Sequence, residues 1–423
     1  MENHAEVIAA KFDKTKQTIL VPDMFPIHME LLADVMRAFG YRIEVLKCSG
    51  QSVLDTGLKY IHNDMCYPAI CSVGQQLYAV TSGNYDTGKI ALLQFQTGGG
   101  CRASNYVMLL KKALQKLGLE KIPIVTLGFS TGLTGSEGFR ITPSMCFRAL
   151  AALTYGDMLM LLKNQVRPYE EQVGATQRLV ESWFQRLHSE LSGRGFGIAH
   201  LKKNLRQMAR DFARIKTQPK KKIKVGIVGE VYVKYSPFGN NRLEEFLNTQ
   251  DCEYMLPGVL GFIHYCLSNT AMDYKLYGGS RIKRDLGLVT ERVIHKYETA
   301  LRDVVREFPQ FVAPASFRQM QKNGSKLLHC GVKMGEGWYL PAEIVELIEN
   351  GYDNIICTQP FGCLPNHIVG KGVIRRFKEL YPASNICPID YDASASAVNQ
   401  ENRIKLMLSV ARDHLKHAEP AIP

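Results

Sequence analysis

Residues 341–390 read PAEIVELIENGYDNIICTQPFGCLPNHIVGKGVIRRFKELYPASNICPID. The pattern predicts a helix over 341–349, a strand over NIICTQ, a loop, a helix over 368–381 and a second strand over NICPID. A further helix over 398–415 completes it. Apolar strands that alternate with helices through short loops indicate a parallel sheet covered by helices.

Working backwards, KIKVGIVGEVYV begins at Lys222 as a buried strand, and helices are expected over 242–247, 259–267 and 290–307. The same alternation occurs near the start. QTILVPD is a strand that ends near Pro22, and residues 25–39 place Met29, Leu32, Val35 and Met36 on one helical face. Gly40 stops that helix. YRIEVLKCS, IALLQFQ from Ile90, a helix over 103–117 and PIVTLG from Pro123 follow. The expected fold is α/β: two Rossmann-like (flavodoxin-like) parallel-sheet domains, 1–144 and 220–423, joined by a mainly helical connector, 145–219. One architecture is used twice without an obvious sequence repeat.

A chain of 423 residues is too long for one ordinary core, and 46% hydrophobic with 22% charged residues is a globular balance. The N-terminal residues are polar and lack a signal-peptide core, and no apolar run is read as bilayer-spanning, so a cytoplasmic protein without a membrane partner is expected. The formal net charge is +12. Much of it lies in Lys202, Lys203, Arg206, Arg210, Arg214, Lys216, Lys220, Lys221, Lys222 and Lys224, against the single acid Asp211. This stretch reads as a solvated face or as a docking surface for an acidic partner. No zinc-finger spacing, RNA-recognition aromatic motif or helix-turn-helix accompanies it, which argues against nucleic acid.

Eleven cysteines in a chain with no export signal argue for buried thiols, catalysis or metal rather than disulfides. None is spaced as CxxC, so any metal site must be assembled from distant loops. Ligands of open α/β sheets bind beyond the carboxyl ends of the strands. Three cysteines suit that place: Cys66 in HNDMCYPA, Cys101 in FQTGGGCRASNY after a strand, and Cys363 in TQPFGCLPNH after another. Gly99 and Gly100 let the backbone approach a bound group closely. Helix N-termini beside these cysteines favour the thiolate, the form that binds iron. Cys330 is a reserve ligand. Cys71 and Cys357 read as core, and Cys48, Cys146, Cys252, Cys266 and Cys387 as packing. His62, His329 and His367 are not expected to ligate. The stretch 128–138 resembles a phosphate cradle in composition but lacks the Walker lysine. Ser130, Thr131 and Ser136 have no identifiable histidine and acid partners.

NDMCYPA, GGGCRASNY, VGEVYVKYSPFGNN, GEGWYLPAEIVELIENG, QPFGCLPNHIVGKGVIRRFK and IDYDASASAVNQENRIKLML together resemble the 2-hydroxyacyl-CoA dehydratase superfamily, above all its branch of acyl-CoA dehydratase activase-related proteins. The resemblance covers residues 20–411. It implies two α/β domains with a [4Fe–4S] cluster between them, or a double-cubane cluster as in a related branch. By position, Cys66, Cys101 and Cys363 match the cluster cysteines. It further implies a separate ATP-hydrolysing activator with an actin-like fold that donates one low-potential electron. The true dehydratases use that electron to form a ketyl radical on a 2-hydroxyacyl-CoA, which then loses water. A homo- or hetero-dimer is compatible with this reading. The alternative is a non-catalytic iron–sulfur electron carrier or scaffold subunit that binds no acyl-CoA.

Overall fold

The computed structural model describes residues 11–97, 100–128, 138–193 and 197–418. The first half runs β1 (Thr18–Val21), α1 (Pro26–Ala38), β2 (Arg42–Val45), α2 (Gln51–Tyr60), α3 (Tyr67–Thr81), β3 (Ile90–Gln96), α4 (Tyr106–Lys116) and β4 (Ile124–Gly128). Three long helices follow: α5 (Pro143–Val166), α6 (Ala175–Ser192) and α7 (Ile198–Ala213). The second half begins β5 (Ile223–Gly229), α8 (Val231–Tyr235), α9 (Leu243–Thr249), β6 (Cys252–Met255), α10 (Val259–Tyr277), α11 (Arg281–Arg306), α12 (Phe317–Ser325) and α13 (Tyr339–Glu349). It ends β7 (Asn354–Pro360), α14 (Leu364–Asn366), α15 (Ile374–Leu380), β8 (Asn385–Tyr391) and α16 (Ala397–Ala418).

Each half builds a four-stranded parallel sheet, β2-β1-β3-β4 and β6-β5-β7-β8, so the strand order is the same in both. Helices cover both faces. In the first sheet Ile19, Val21, Ala91 and Leu93 face the core shared with α1 and α5, while Leu20, Leu92 and Ile124 face α3 and α4. Burial on both faces explains why the strands are apolar runs rather than alternating ones.

The helical segment is central. α5 packs against α1, α7, α10, α11 and β6, so the main core is continuous through both halves. Buried Asp157 fastens it: its carboxylate accepts from Val259 N at 2.7 Å and Leu260 N at 3.0 Å at the start of α10, and lies 2.9 Å from His28 Nε2 on α1. By length and composition the stretch Pro143–Tyr169 could cross a membrane, contrary to the reading of the sequence, but most of it is buried inside the protein as a core helix.

Two other expectations are corrected. The helices expected over 259–267 and 290–307 are much longer, α10 and α11, and form a hairpin that turns at Gly278 and Gly279. No residue of 266–293 is fully buried, so the added length lies outside the core. The helix expected over 368–381 is broken: His367–Lys371 form a wider π turn before α15. Gly370 and Gly372 weaken the regular helix there. The basic stretch finds acids from elsewhere in the chain: Lys202 with Asp303, Arg206 with Glu307, Lys220 and Lys222 with Asp251, and Lys224 with Glu253.

Candidate metal centre

In both sheets the chain steps from its first strand to one side and returns on the other. The crevice where the order reverses lies between β1 and β3 in the first sheet, and between β5 and β7 in the second. This is where open α/β sheets bind ligands. The loop after β3 carries Cys101, the loop after β7 carries Cys363, and β5 delivers Glu230.

Cys66, Cys101 and Cys363 share one kind of backbone position. They are the N-cap residues of α3, of the 3-10 turn Arg102–Asn105 ahead of α4, and of α14. None uses its side chain to cap the helix it precedes. The loops also touch across the two halves. Tyr67 N donates to the Phe361 carbonyl at 3.0 Å. Gly362 adopts φ +72, and a Cβ there would come within 3.0 Å of Cys66 Cα and 3.3 Å of Arg102 Nη1. Arg102 donates Nη1 to the Asp64 carbonyl, tying the Cys101 loop to the Cys66 loop. Gly100 lies against Met334, whose Sδ would be 2.5 Å from an added Cβ. Gly99 lies outside the described residues, as do Ser130, Thr131 and Ser136.

The three thiols share charged neighbours. Cys101 is acted on by Glu336, Glu230 and Cys66, Cys363 by Glu336, Glu230 and Cys101, and Cys66 by Glu230 and Arg102. Tyr106 Oη and Cys66 Sγ are 3.0 Å apart. The expectation that helix N-termini would hold these groups as thiolates fails for the polypeptide alone. Burial pushes all three thiols up, Cys101 to about 12, and the carboxylates push in the same direction. Desolvation and like charge outweigh the local dipole. Iron that binds here must therefore displace protons.

The two carboxylates were not anticipated. Glu336 is 5% exposed, and its Oε1 accepts from Val231 N at 3.1 Å. Glu230 caps α8, accepting from Val233 N at 3.0 Å. Burial raises both, and the charge of Glu336 raises Glu230 further. The one available signal was position: Glu230 directly follows the strand KIKVGIVG. Gly229 there has φ +130, and a Cβ would overlap the Thr358 carbonyl, so the chain must turn sharply on leaving β5.

Of the remaining cysteines, Cys71 and Cys357 are fully buried. Cys330 is half-buried, with Sγ 3.9 Å from the Gln321 carbonyl, and the charge acting on it is Lys275. Cys266, read as packing, is acted on by Glu336 and Cys101, as Cys71 is by Glu230 and Cys66 and Cys357 by Glu336. Among the described residues no three His, Cys, Asp or Glu side chains are spaced to hold a single metal ion. A cubane differs from that test: its cysteines bind different irons and stand apart around the cluster.

About two turns along α13, Glu346 is also buried, and burial pushes its carboxyl from 4.5 up to about 7 despite a 2.5 Å hydrogen bond donated by Ala315 N. The folded chain therefore holds this proton more tightly than the unfolded chain. Its contribution to stability falls as pH rises from 4.5 towards about 7 and is level above. Urea unfolding of Glu346→Gln against the parent across that range should show a slope worth roughly 3 kcal/mol removed.

Comparison with protein-family models and with curated proteins finds no match to this chain.

Proposed function

We propose that this chain is an iron–sulfur protein of the 2-hydroxyacyl-CoA dehydratase type, working in an anaerobic cytoplasm. Cys66, Cys101 and Cys363 would hold a [4Fe–4S] cluster, or one cube of a double cubane. A separate ATP-hydrolysing activator with an actin-like fold would supply a low-potential electron for reductive or radical dehydration chemistry. The observation that carries the reading is the common station of the three cysteines. Each is an N-cap residue without a side-chain cap hydrogen bond, Glu230 acts on all three, and Glu336 acts on Cys101 and Cys363.

When bound, the cluster supplies one-electron chemistry at low potential. The chain's own residues supply the rest. Burial of the Cys66 and Cys363 side chains keeps water from the sulfurs. Tyr106 Oη is placed to bond Cys66 Sγ and fix its direction. The buried Glu230–Glu336 pair retains a proton well above the usual carboxylate range, because burial and their mutual repulsion disfavour two charges. Such a carboxyl can protonate a leaving hydroxyl.

The test is purification of the full chain without oxygen, followed by iron and sulfide analysis and EPR. A brown protein with about four irons per chain that bleaches in air is expected. A colourless, iron-free protein would sink the proposal. Equilibrium binding of CoA esters to the loaded protein separates the dehydratase-type role from an electron carrier: saturable binding supports the first, none the second.

A further inference from the structure

A cavity of about 90 Å³ lies among α5, α10, α11, α12 and α13, under the stretch 312–315. Its wall is mostly apolar and includes Met160, Leu161, Leu260, Leu301, Phe317 and Met320. The covering stretch is fastened at both ends. Gln165 accepts from Val312 N at 2.8 Å and donates to the Val312 carbonyl at 3.1 Å, and Glu346 accepts from Ala315 N. Two donors in this wall lack the partners that burial demands. Arg302 is 9% exposed, forms no ion pair among the described residues, and makes one hydrogen bond, from Nη2 to Thr299 Oγ1 at 3.3 Å. Tyr339 is 4% exposed, and its hydroxyl has no hydrogen-bond partner among the described residues. That hydroxyl stands 2.2 Å from where a Cβ would lie on Gly261, another residue of the wall. Glu298, one helical turn before Arg302, acts on Tyr339, which sets both donors at the same stretch of α11. A buried donor without an acceptor is costly, a buried cation above all. An apolar cavity with a few polar groups is the form that small-molecule sites take.

We propose that this cavity binds a short-chain monocarboxylate, with the carboxylate on Arg302 and the Tyr339 hydroxyl and the alkyl chain along the apolar wall. The unmet groups are donors and one is a full cation, so the ligand must bring a negatively charged acceptor. The acids of the wall do not supply it. Asp157 accepts from Val259 N and Leu260 N, and Glu298 stands 2.9 Å from His264 Nδ1. Glu346 is raised by burial to about 7, so below that pH it keeps its proton. The volume is smaller than the roughly 150 Å³ of a cavity that takes benzene, which limits the ligand to a few carbons. The apolar remainder of the wall favours an alkyl chain over a second charged group. No cysteine lines the cavity, nor does Glu230 or Glu336, so the inference is independent of the cysteine site.

Propionate titrated into the full chain, purified without oxygen in a carboxylate-free buffer, tests it at about pH 6, where Glu346 keeps its proton. Saturation-transfer NMR should show saturable binding, and the melting midpoint should rise with propionate concentration. Propylammonium, the same chain length with the opposite charge, should do neither. Arg302→Met should weaken propionate binding about tenfold or more, since a charge-assisted hydrogen bond goes with the cation. Tyr339→Phe removes only a hydroxyl and should weaken binding several-fold with circular dichroism unchanged. It decides the matter if Arg302→Met does not fold. A parent that shows no saturable binding overturns the inference, and so does one that binds propylammonium as well as propionate. Affinity unchanged in folded Arg302→Met, or in Tyr339→Phe, overturns it too.

Discussion

Replacing Cys101 with alanine should strip the anaerobically purified chain of its colour and take iron from about four per chain to nearly none. The same loss is expected for Cys66→Ala and Cys363→Ala. In the proposed site three thiolates would bind three irons of one cube, and with one missing a second iron would be left without a protein sulfur. Cys71→Ala and Cys357→Ala are the controls. Both side chains are fully buried, Cys71 on α3 and Cys357 in β7, and a Gly370 Cβ would already sit 3.0 Å from Cys357 Sγ. They should keep their iron and lose about 1–3 kcal/mol of stability to the small cavity created. Iron and sulfide content, visible absorption and EPR read the first effect, and urea midpoints the second. Retention of a full cluster by Cys101→Ala would remove Cys101 from the ligand set. Cys266→Ala belongs beside it, because Cys266 is the further thiol on which Cys101 acts.

The cysteine loops were legible because each combines features that short-range physics explains. Ile355–Ile356 and Leu92–Leu93 are apolar on both faces, as central parallel strands must be, and a cysteine soon after such a run must lie at the sheet's carboxyl end. The carboxylates were not legible in this way. Glu336 sits between glycines in a loop, and Glu230 reads as an ordinary acid after a strand. Only the fold brings both near enough to act on the thiols. The ionisation of the thiols failed for a related reason: a helix N-terminus is visible in sequence, whereas desolvation by the opposite half of the chain is not. The hairpin of α10 and α11 was read too short although Ile282, Leu286, Val289 and Val293 recur at helical spacing; that half is exposed rather than core.

Lys234→Met should cost about 3–5 kcal/mol in folding free energy, among the largest single-residue effects in this chain. Lys234 on α8 donates Nζ to both carboxylate oxygens of Glu343 on α13, at 2.8 and 3.0 Å, and each side chain is 1% exposed. Removing the cation leaves a buried carboxylate with no counter-charge. Burial already pushes the Glu343 carboxyl upward while Lys234 opposes it, and in the variant burial acts alone. Glu343 would then fold protonated. Because its folded value lies above its unfolded value, the deficit should be smallest near about pH 5 and grow as pH rises through neutrality. Lys234→Met/Glu343→Leu removes both charges and should recover most of the loss, since apolar replacement of a buried pair is often neutral. Urea unfolding of the two single variants and the double at two pH values closes the cycle. A Lys234→Met loss under about 1 kcal/mol, or one that shrinks with pH, would show that water or another cation reaches Glu343. The pair also positions the site. Lys234 stands one helical turn after Glu230, whose backbone carbonyl accepts from Lys234 N at 2.7 Å, and Glu343 stands two turns after Glu336. By tying α8 to α13 the ion pair holds together the two carboxylates that face Cys101 and Cys363. Lys234→Met should therefore also loosen iron retention in air, and the conservative Lys234→Arg should preserve it better than Met does.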